Sequence, residues 1–150
     1  MAGTFTKLWY HLVFSTKNRA NLITAELQPR LHEYLGGIVR SAGGTALEIG
    51  GVPDHVHLLV RWRADEAVSD LLRRVKRNSS AWIHETIPGQ QAFRWQEGYG
   101  AFSVSHSNVE RVQRYIAGQT EQHRAQSFQD EFLEFLRRHE IEYDERYIWE

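Results

Sequence analysis

The chain has 150 residues, 41% of them hydrophobic and 12% aromatic, with a formal net charge of −1, which is enough apolar content for one packed domain spanning residues 1–150. It holds no cysteine, which excludes disulfides and thiolate metal sites, leaves His, carboxylate and amide oxygen as ligands, and fits a cytoplasmic protein. No stretch approaches the roughly 20 apolar residues that span a bilayer, and Met1 to Phe14 lacks a basic leader and a small-residue cleavage site, so neither membrane contact nor a signal peptide is expected.

Lys7 to Ser15 (KLWYHLVFS) is aromatic and β-branched and predicts a strand. Thr24 to Ala42 predicts a helix, with Leu27, Leu31, Leu35, Ile38 and Val39 at helical spacing and Gly43-Gly44 as its stop. Gly36 and Gly37 inside it imply close packing of helix on sheet. Thr45 to Gly50, the turn Gly51-Val52-Pro53-Asp54 and His55 to Trp62 (HVHLLVRW) predict a hairpin. Ala67 to Thr86 predicts a second helix on the stripe Val68, Leu71, Leu72, Val75, Ser79, Trp82 and Ile83. Ala101 to Ser105 predicts a fourth strand, and Val109 to Gln122 and Ser127 to His139 two more helices. The order β-α-β-β-α-β followed by helices is the α+β, ferredoxin-like split βαβ: an antiparallel sheet with its crossover helices on one face. No repeat, linker or domain boundary interrupts it.

Charge is uneven. Residues 121–150 carry nine acids against four bases, so residues 1–120 hold 14 bases against ten acids. A local basic face, more than the whole-chain balance, decides phosphate binding. Arg73, Arg74, Lys76 and Arg77 on the second helix, with Arg61 and Arg63 before it, are the candidate DNA-binding cations. A solvated helix face is the alternative. Trp62, Trp95, Tyr99 and Phe102 are candidates to stack on bases, although each also suits the core.

In a strand, residues two apart share a face, so His55 and His57 lie about 6.6 Å apart on one side while Val56, Leu58 and Val60 face the core. Two imidazoles at that spacing can reach one metal ion. The pattern equally suits two ordinary histidines on a sheet surface. Asp54 is a candidate to orient one imidazole from behind, or simply a turn residue. On the helix from Val109, Tyr115 and Gln119 are four apart and share a face that His123 continues. Packing alone would also explain Tyr115.

Four segments occur in order: Tyr10-His-Leu-Val-Phe-Ser-Thr-Lys17, Gly51-Val-Pro-Asp-His-Val-His-Leu-Leu-Val60, Lys76-Arg-Asn-Ser-Ser80 and Val112-Gln-Arg-Tyr-Ile-Ala-Gly-Gln119. Together they resemble the single-tyrosine HUH transposases of small bacterial insertion sequences, including the REP-associated tyrosine transposases, over nearly the whole chain. The resemblance implies a metal-dependent, single-stranded DNA endonuclease and strand transferase. It implies Mg²⁺ or Mn²⁺ on His55 and His57, with Gln119 as third ligand, and Tyr115 as the nucleophile that forms a 5′-phosphotyrosine. It implies hairpin-forming DNA as partner and a homodimer. Relatives often carry two histidines where this chain has Gln122-His123, which leaves His123 as a possible supporting residue outside the core trio. Two other readings remain: a non-catalytic single-stranded nucleic-acid-binding module descended from a transposase, and a metal hydrolase that activates water, for which the sequence offers only Asp54 as a carboxylate base.

Overall fold

In the computed structural model, which describes residues 3–150, the two strands richest in apolar residues are the two central ones. β1 (Leu8–Ser15) lies between β3 (His55–Trp62) and β4 (Gly100–Val104), and β2 (Thr45–Val52) flanks β3; every neighbouring pair is antiparallel, giving the order β2-β3-β1-β4. α1 (Leu27–Ser41) connects β1 to β2, and α2 (Val68–Thr86) connects β3 to β4. Three more helices follow: α3 (Val109–Ala117), α4 (Gln119–Gln122) and α5 (Phe128–Arg138). This is the expected split βαβ. No helix among the described residues is long and apolar enough to cross a membrane.

Strand alternation divides the molecule into two layers. Leu12 and Phe14 of β1 and Val56, Leu58, Val60 and Trp62 of β3 pack against α1 and α2 in the main core. Trp9 and Val13 of β1, with Leu59 of β3, face the other way and pack under α3 and α5. His55 and His57 share that second face, so α3–α5 cover the histidines.

The α1 stripe is buried as its spacing predicts, but the helix starts at Leu27 rather than Thr24. Thr24 caps it instead: its hydroxyl accepts from the Leu27 amide at 3.1 Å. The helix stops at Gly43, whose φ of +95° suits a residue without Cβ. A Cβ on Gly36 would stand 3.6 Å from Ile49 Cδ1 and one on Gly37 would touch only Arg40, so the close helix–sheet approach expected there is not what these glycines serve. Gly50 is where such an approach occurs, between β2 and α3.

On α2, Ser79 is fully buried in the apolar stripe, where its hydroxyl accepts from Trp95 Nε1 at 2.9 Å. Ser79→Ala should leave that indole N–H without a partner and cost about 1–3 kcal/mol, read as a lowered denaturation midpoint at unchanged slope. Trp62, Trp95 and Phe102 are core residues, each less than a tenth exposed; of the four stacking candidates only Tyr99 reaches solvent. The C-terminal tail returns to its own chain. Ile148 and Trp149 pack beside the α5 cluster, and the Glu150 carbonyl accepts from the Gly98 amide at 2.9 Å.

Candidate functional site

β3 presents His55 and His57 on one face, and both are fully buried. Each ring is held from behind. His55 Nδ1 donates to Asp54 Oδ1 at 2.7 Å, which puts Asp54 where it can orient that imidazole. His57 Nδ1 lies 2.7 Å from Nε2 of His11, a buried residue of β1 on the same face of the sheet. His11 lies in the Tyr10–Lys17 segment, but its contact with His57 depends on the β1–β3 register.

α3 does not run unbroken to Gln122. Gly118, at φ −94° and ψ +22°, ends it, its amide reaching back to the carbonyls of Arg114 and Tyr115, and α4 restarts at Gln119. The break turns Gln119 inward. Gln119 is buried, and His55 Nε2 donates to its Oε1 at 3.2 Å. Tyr115 stays half-buried, its ring 5.9 Å from that of His57.

The residue that sequence reasoning missed is Glu131. α5 buries Phe128, Glu131, Phe132, Phe135 and Leu136 as one stripe. A carboxylate on an apolar stripe is itself a signal, because burying an unpaired charge is costly. Here it is paired. His57 Nε2 and His123 Nε2 each donate to Glu131 Oε1 at 3.0 Å, and His55 Nε2 stands 3.4 Å from the same oxygen. The Tyr115 hydroxyl donates to Oε2. His123 therefore joins the cluster directly rather than standing behind it.

The electrostatics follow from these contacts. Burial raises the Glu131 pKa, but hydrogen bonds from His123, His55 and His57 outweigh it and hold the carboxyl well below the usual range. Burial pushes His57 down to about 4 against the pull of Glu131, so it is neutral near pH 7. Burial likewise keeps His11 well below its ordinary value. For His55, burial lowers the pKa, but the hydrogen bonds to Asp54 and Glu131 prevail and raise it. Tyr115 is pushed above its ordinary range by burial and by Glu131, so its phenol keeps its proton in this arrangement.

One ligand atom from each of His55, His57, His123 and Glu131 lies within 4.8 Å of the others. Imidazole nitrogens and a carboxylate oxygen, brought together at the buried face of the sheet, are a donor set that fits a divalent ion, whose binding would displace the protons that now hydrogen-bond the imidazoles to Glu131. The Gln119 amide oxygen stands beside them. All of these groups, and Tyr115, come together within one chain. Glu131 also supplies the carboxylate near the histidines that the sequence seemed to offer only in Asp54.

The six candidate DNA-binding cations separate. Arg73, Lys76 and Arg77 line one side of a groove of about 520 Å³, with Arg94 and Tyr99 also on its walls. Lys76 Nζ donates to the carbonyls of Glu97 and Gly98 at 2.9 Å, and burial brings it down to about 8 despite Glu97. Arg74 turns aside to pair with Glu66 at 2.7 Å. Arg61 and Arg63 lie at the end of β3 away from His55; Arg63 is tied to Asp65 at 2.7 Å and to the Ala42 carbonyl at 3.2 Å.

Residues 4–119 match a family model described as "Transposase IS200 like". The chain is 26% identical over 122 residues to the ISDra2 transposase TnpA of Deinococcus radiodurans, covering 78% of this chain and 87% of that protein. It is 27% identical over 128 residues to the transposase for insertion sequence element IS200 of Salmonella typhimurium, covering 81% and 83%. A Deinococcus radiodurans crystal structure described as that of a transposase superposes with a TM-score of 0.66 at 26% identity, covering 79% of this chain and 95% of that one. At 18% identity the fold is shared with a REP-associated tyrosine transposase solved bound to a REP hairpin, with a TM-score of 0.58 and coverage of 82% and 74%.

Proposed function

Since the chain belongs to the IS200-like transposase family, we propose that it cleaves and rejoins single-stranded DNA through Tyr115, with Mg²⁺ or Mn²⁺ held by His55, His57 and Gln119. The observation that carries this reading is the convergence of the Tyr115 hydroxyl and the imidazole nitrogens of His55 and His57 on one buried carboxylate.

His55, His57 and Gln119 would hold the divalent ion, which would supply positive charge to neutralise and orient the scissile phosphate. The Tyr115 phenol oxygen attacks the phosphorus in line. A P–O bond forms to Tyr115, the P–O bond to the 3′ oxygen breaks, and that oxygen takes a proton from solvent water to leave as a free 3′-OH, with the 5′-phosphate on the tyrosine. Glu131 Oε2 is the acceptor within reach of the phenol proton. The covalent link conserves the bond energy, so a second 3′-OH can attack, release Tyr115 and join new ends.

The DNA partner is a hairpin-forming single strand, and its path follows the Arg73, Lys76 and Arg77 groove. Each phosphate contact on a single strand contributes roughly −0.7 to the log–log salt slope. Lys76, at about 8, carries its charge below that pH and loses it above. Raising the pH from 7 to 9 should therefore flatten the slope for hairpin binding by about 0.6, and Lys76→Arg should abolish that change. Fluorescence anisotropy over a salt series at both pH values measures it.

The protein acts as one domain, in the cytoplasm and as a homodimer, although each copy already contains a complete site. Incubation with labelled hairpin DNA and Mn²⁺ tests the function: a covalent protein–DNA adduct supports it, and tight binding without an adduct favours the binding module.

A further inference from the structure

We infer that in this chain the ion's ligand set is completed from outside the family-matched segment, by His123 and Glu131, and that the resulting three-imidazole site favours an imidazole-binding first-row ion such as Mn²⁺ over Mg²⁺. The inference rests on the proposed function only in placing a divalent ion between His55 and His57. Both added residues lie beyond residue 119, where the family match ends.

Three rings share one arrangement. His55 Nδ1 is anchored on Asp54 at 2.7 Å, His57 Nδ1 on His11 at 2.7 Å and His123 Nδ1 on the Gln126 carbonyl at 2.6 Å. Fixing Nδ1 from behind is how a protein orients an imidazole to offer Nε2 to a metal. The three Nε2 atoms converge on Glu131 Oε1 at 3.0 to 3.4 Å. Ligand atoms about 2.0–2.2 Å from one ion stand roughly 3.0–3.5 Å apart, so Glu131 Oε1 has the spacing of a shell neighbour to each of the three nitrogens, and all four ligand atoms lie within 4.8 Å of one another. His123 is thus built like His55 and His57, not like a solvated residue.

The chemistry of the set decides the ion. Mg²⁺ demands oxygen ligands in near-ideal octahedral geometry and keeps several waters. Three imidazoles, set beside only the Glu131 carboxylate and the Gln119 amide oxygen, offer it little of that. Imidazole suits first-row transition ions, whose affinity for nitrogen sites rises from Mn²⁺ toward Cu²⁺. Glu131 adds the one formal negative charge in the shell and, through its other oxygen, holds the Tyr115 hydroxyl beside the ion.

Calorimetric titration of the full chain with MnCl₂ or MgCl₂ alone tests this. Mn²⁺ should bind at 1:1 and about tenfold or more tighter than Mg²⁺, and Glu131→Gln and His123→Ala should each weaken Mn²⁺ about tenfold or more. Pulsed EPR of bound Mn²⁺ should count three imidazole nitrogens in the wild type and two in His123→Ala. If Glu131→Gln fails to fold by circular dichroism, the nitrogen count and His123→Ala decide. Unchanged Mn²⁺ affinity in both variants, equal affinity for the two ions, or two nitrogens in the wild type overturns the inference. The expected metal binding with no Tyr115 adduct on hairpin DNA would sink the strand-transfer reading and leave the ligand assignment standing.

Discussion

Replacing Tyr115 by Phe should abolish the covalent adduct and lower hairpin cleavage by about 10⁴-fold or more, the scale of losing a nucleophile. The substitution is a clean one. The ring packs among His11, His57 and Phe135, at centroid distances of 6.2, 5.9 and 5.9 Å, and Phe preserves those contacts. Only the hydroxyl is lost, and with it one of the donors to Glu131, which keeps His57 and His123. Stability should change by about 1 kcal/mol. Denaturing gels of labelled hairpin DNA with Mn²⁺ report both adduct and cleavage. Cleavage that survives in Tyr115→Phe, with no adduct in the wild type, would point to an activated water with Glu131 as its base.

Gly50→Ala should damage both fold and activity, although Gly50 carries no chemistry. A Cβ built there would stand 2.1 Å from the Ile116 carbonyl oxygen and 3.0 Å from Ile116 Cγ2. Both obstacles belong to α3, and the first is backbone, so the helix must lift by about an ångström to reach ordinary contact. Gly50 pairs with His57 across the β2–β3 ladder. Ile116 adjoins Tyr115 and is fully buried. The bare backbone at Gly50 therefore seats the Tyr115 helix over the strand that carries His55 and His57. Forcing the two apart should cost about 1–3 kcal/mol or more of stability, and a shift of that size about 10²-fold in single-turnover cleavage. Gly36→Ala is the matched control: its Cβ meets Ile49 Cδ1 at 3.6 Å and a flexible Arg40, within a helix that prefers Ala, so it should be neutral or slightly stabilising. A Gly50→Ala protein that melts and cleaves like the wild type would refute this role.

What could be read from the sequence was whatever obeys a local period. Alternation along His55 to Trp62 places the two histidines on one face and Val56, Leu58 and Val60 on the other, and the structure keeps that division. The Leu27 to Val39 stripe and the turn at Pro53-Asp54 are equally local. What escaped depends on register or on distance. His11 meets His57 only because β1 and β3 align as they do. Glu131 comes from a helix past the recognisable segments, and its place on an apolar stripe has meaning only once His55, His57 and His123 surround it. The break at Gly118 was invisible to helical spacing, yet it turns Gln119 into the site. Among the cations, Arg63, Arg73 and Arg74 each pair with a carboxylate, Asp65, Asp70 and Glu66, which a count of charges cannot reveal.

Strand transfer through Tyr115 requires that this residue become covalently joined to DNA, and peptide mass mapping of the adduct trapped on hairpin DNA with Mn²⁺ locates the joint. A nucleotide mass carried by the peptide containing Tyr115, and by no other, is the predicted result. A nucleotide on a different residue, such as the exposed Tyr99 or Tyr147, or cleaved DNA with no modified peptide, would contradict it.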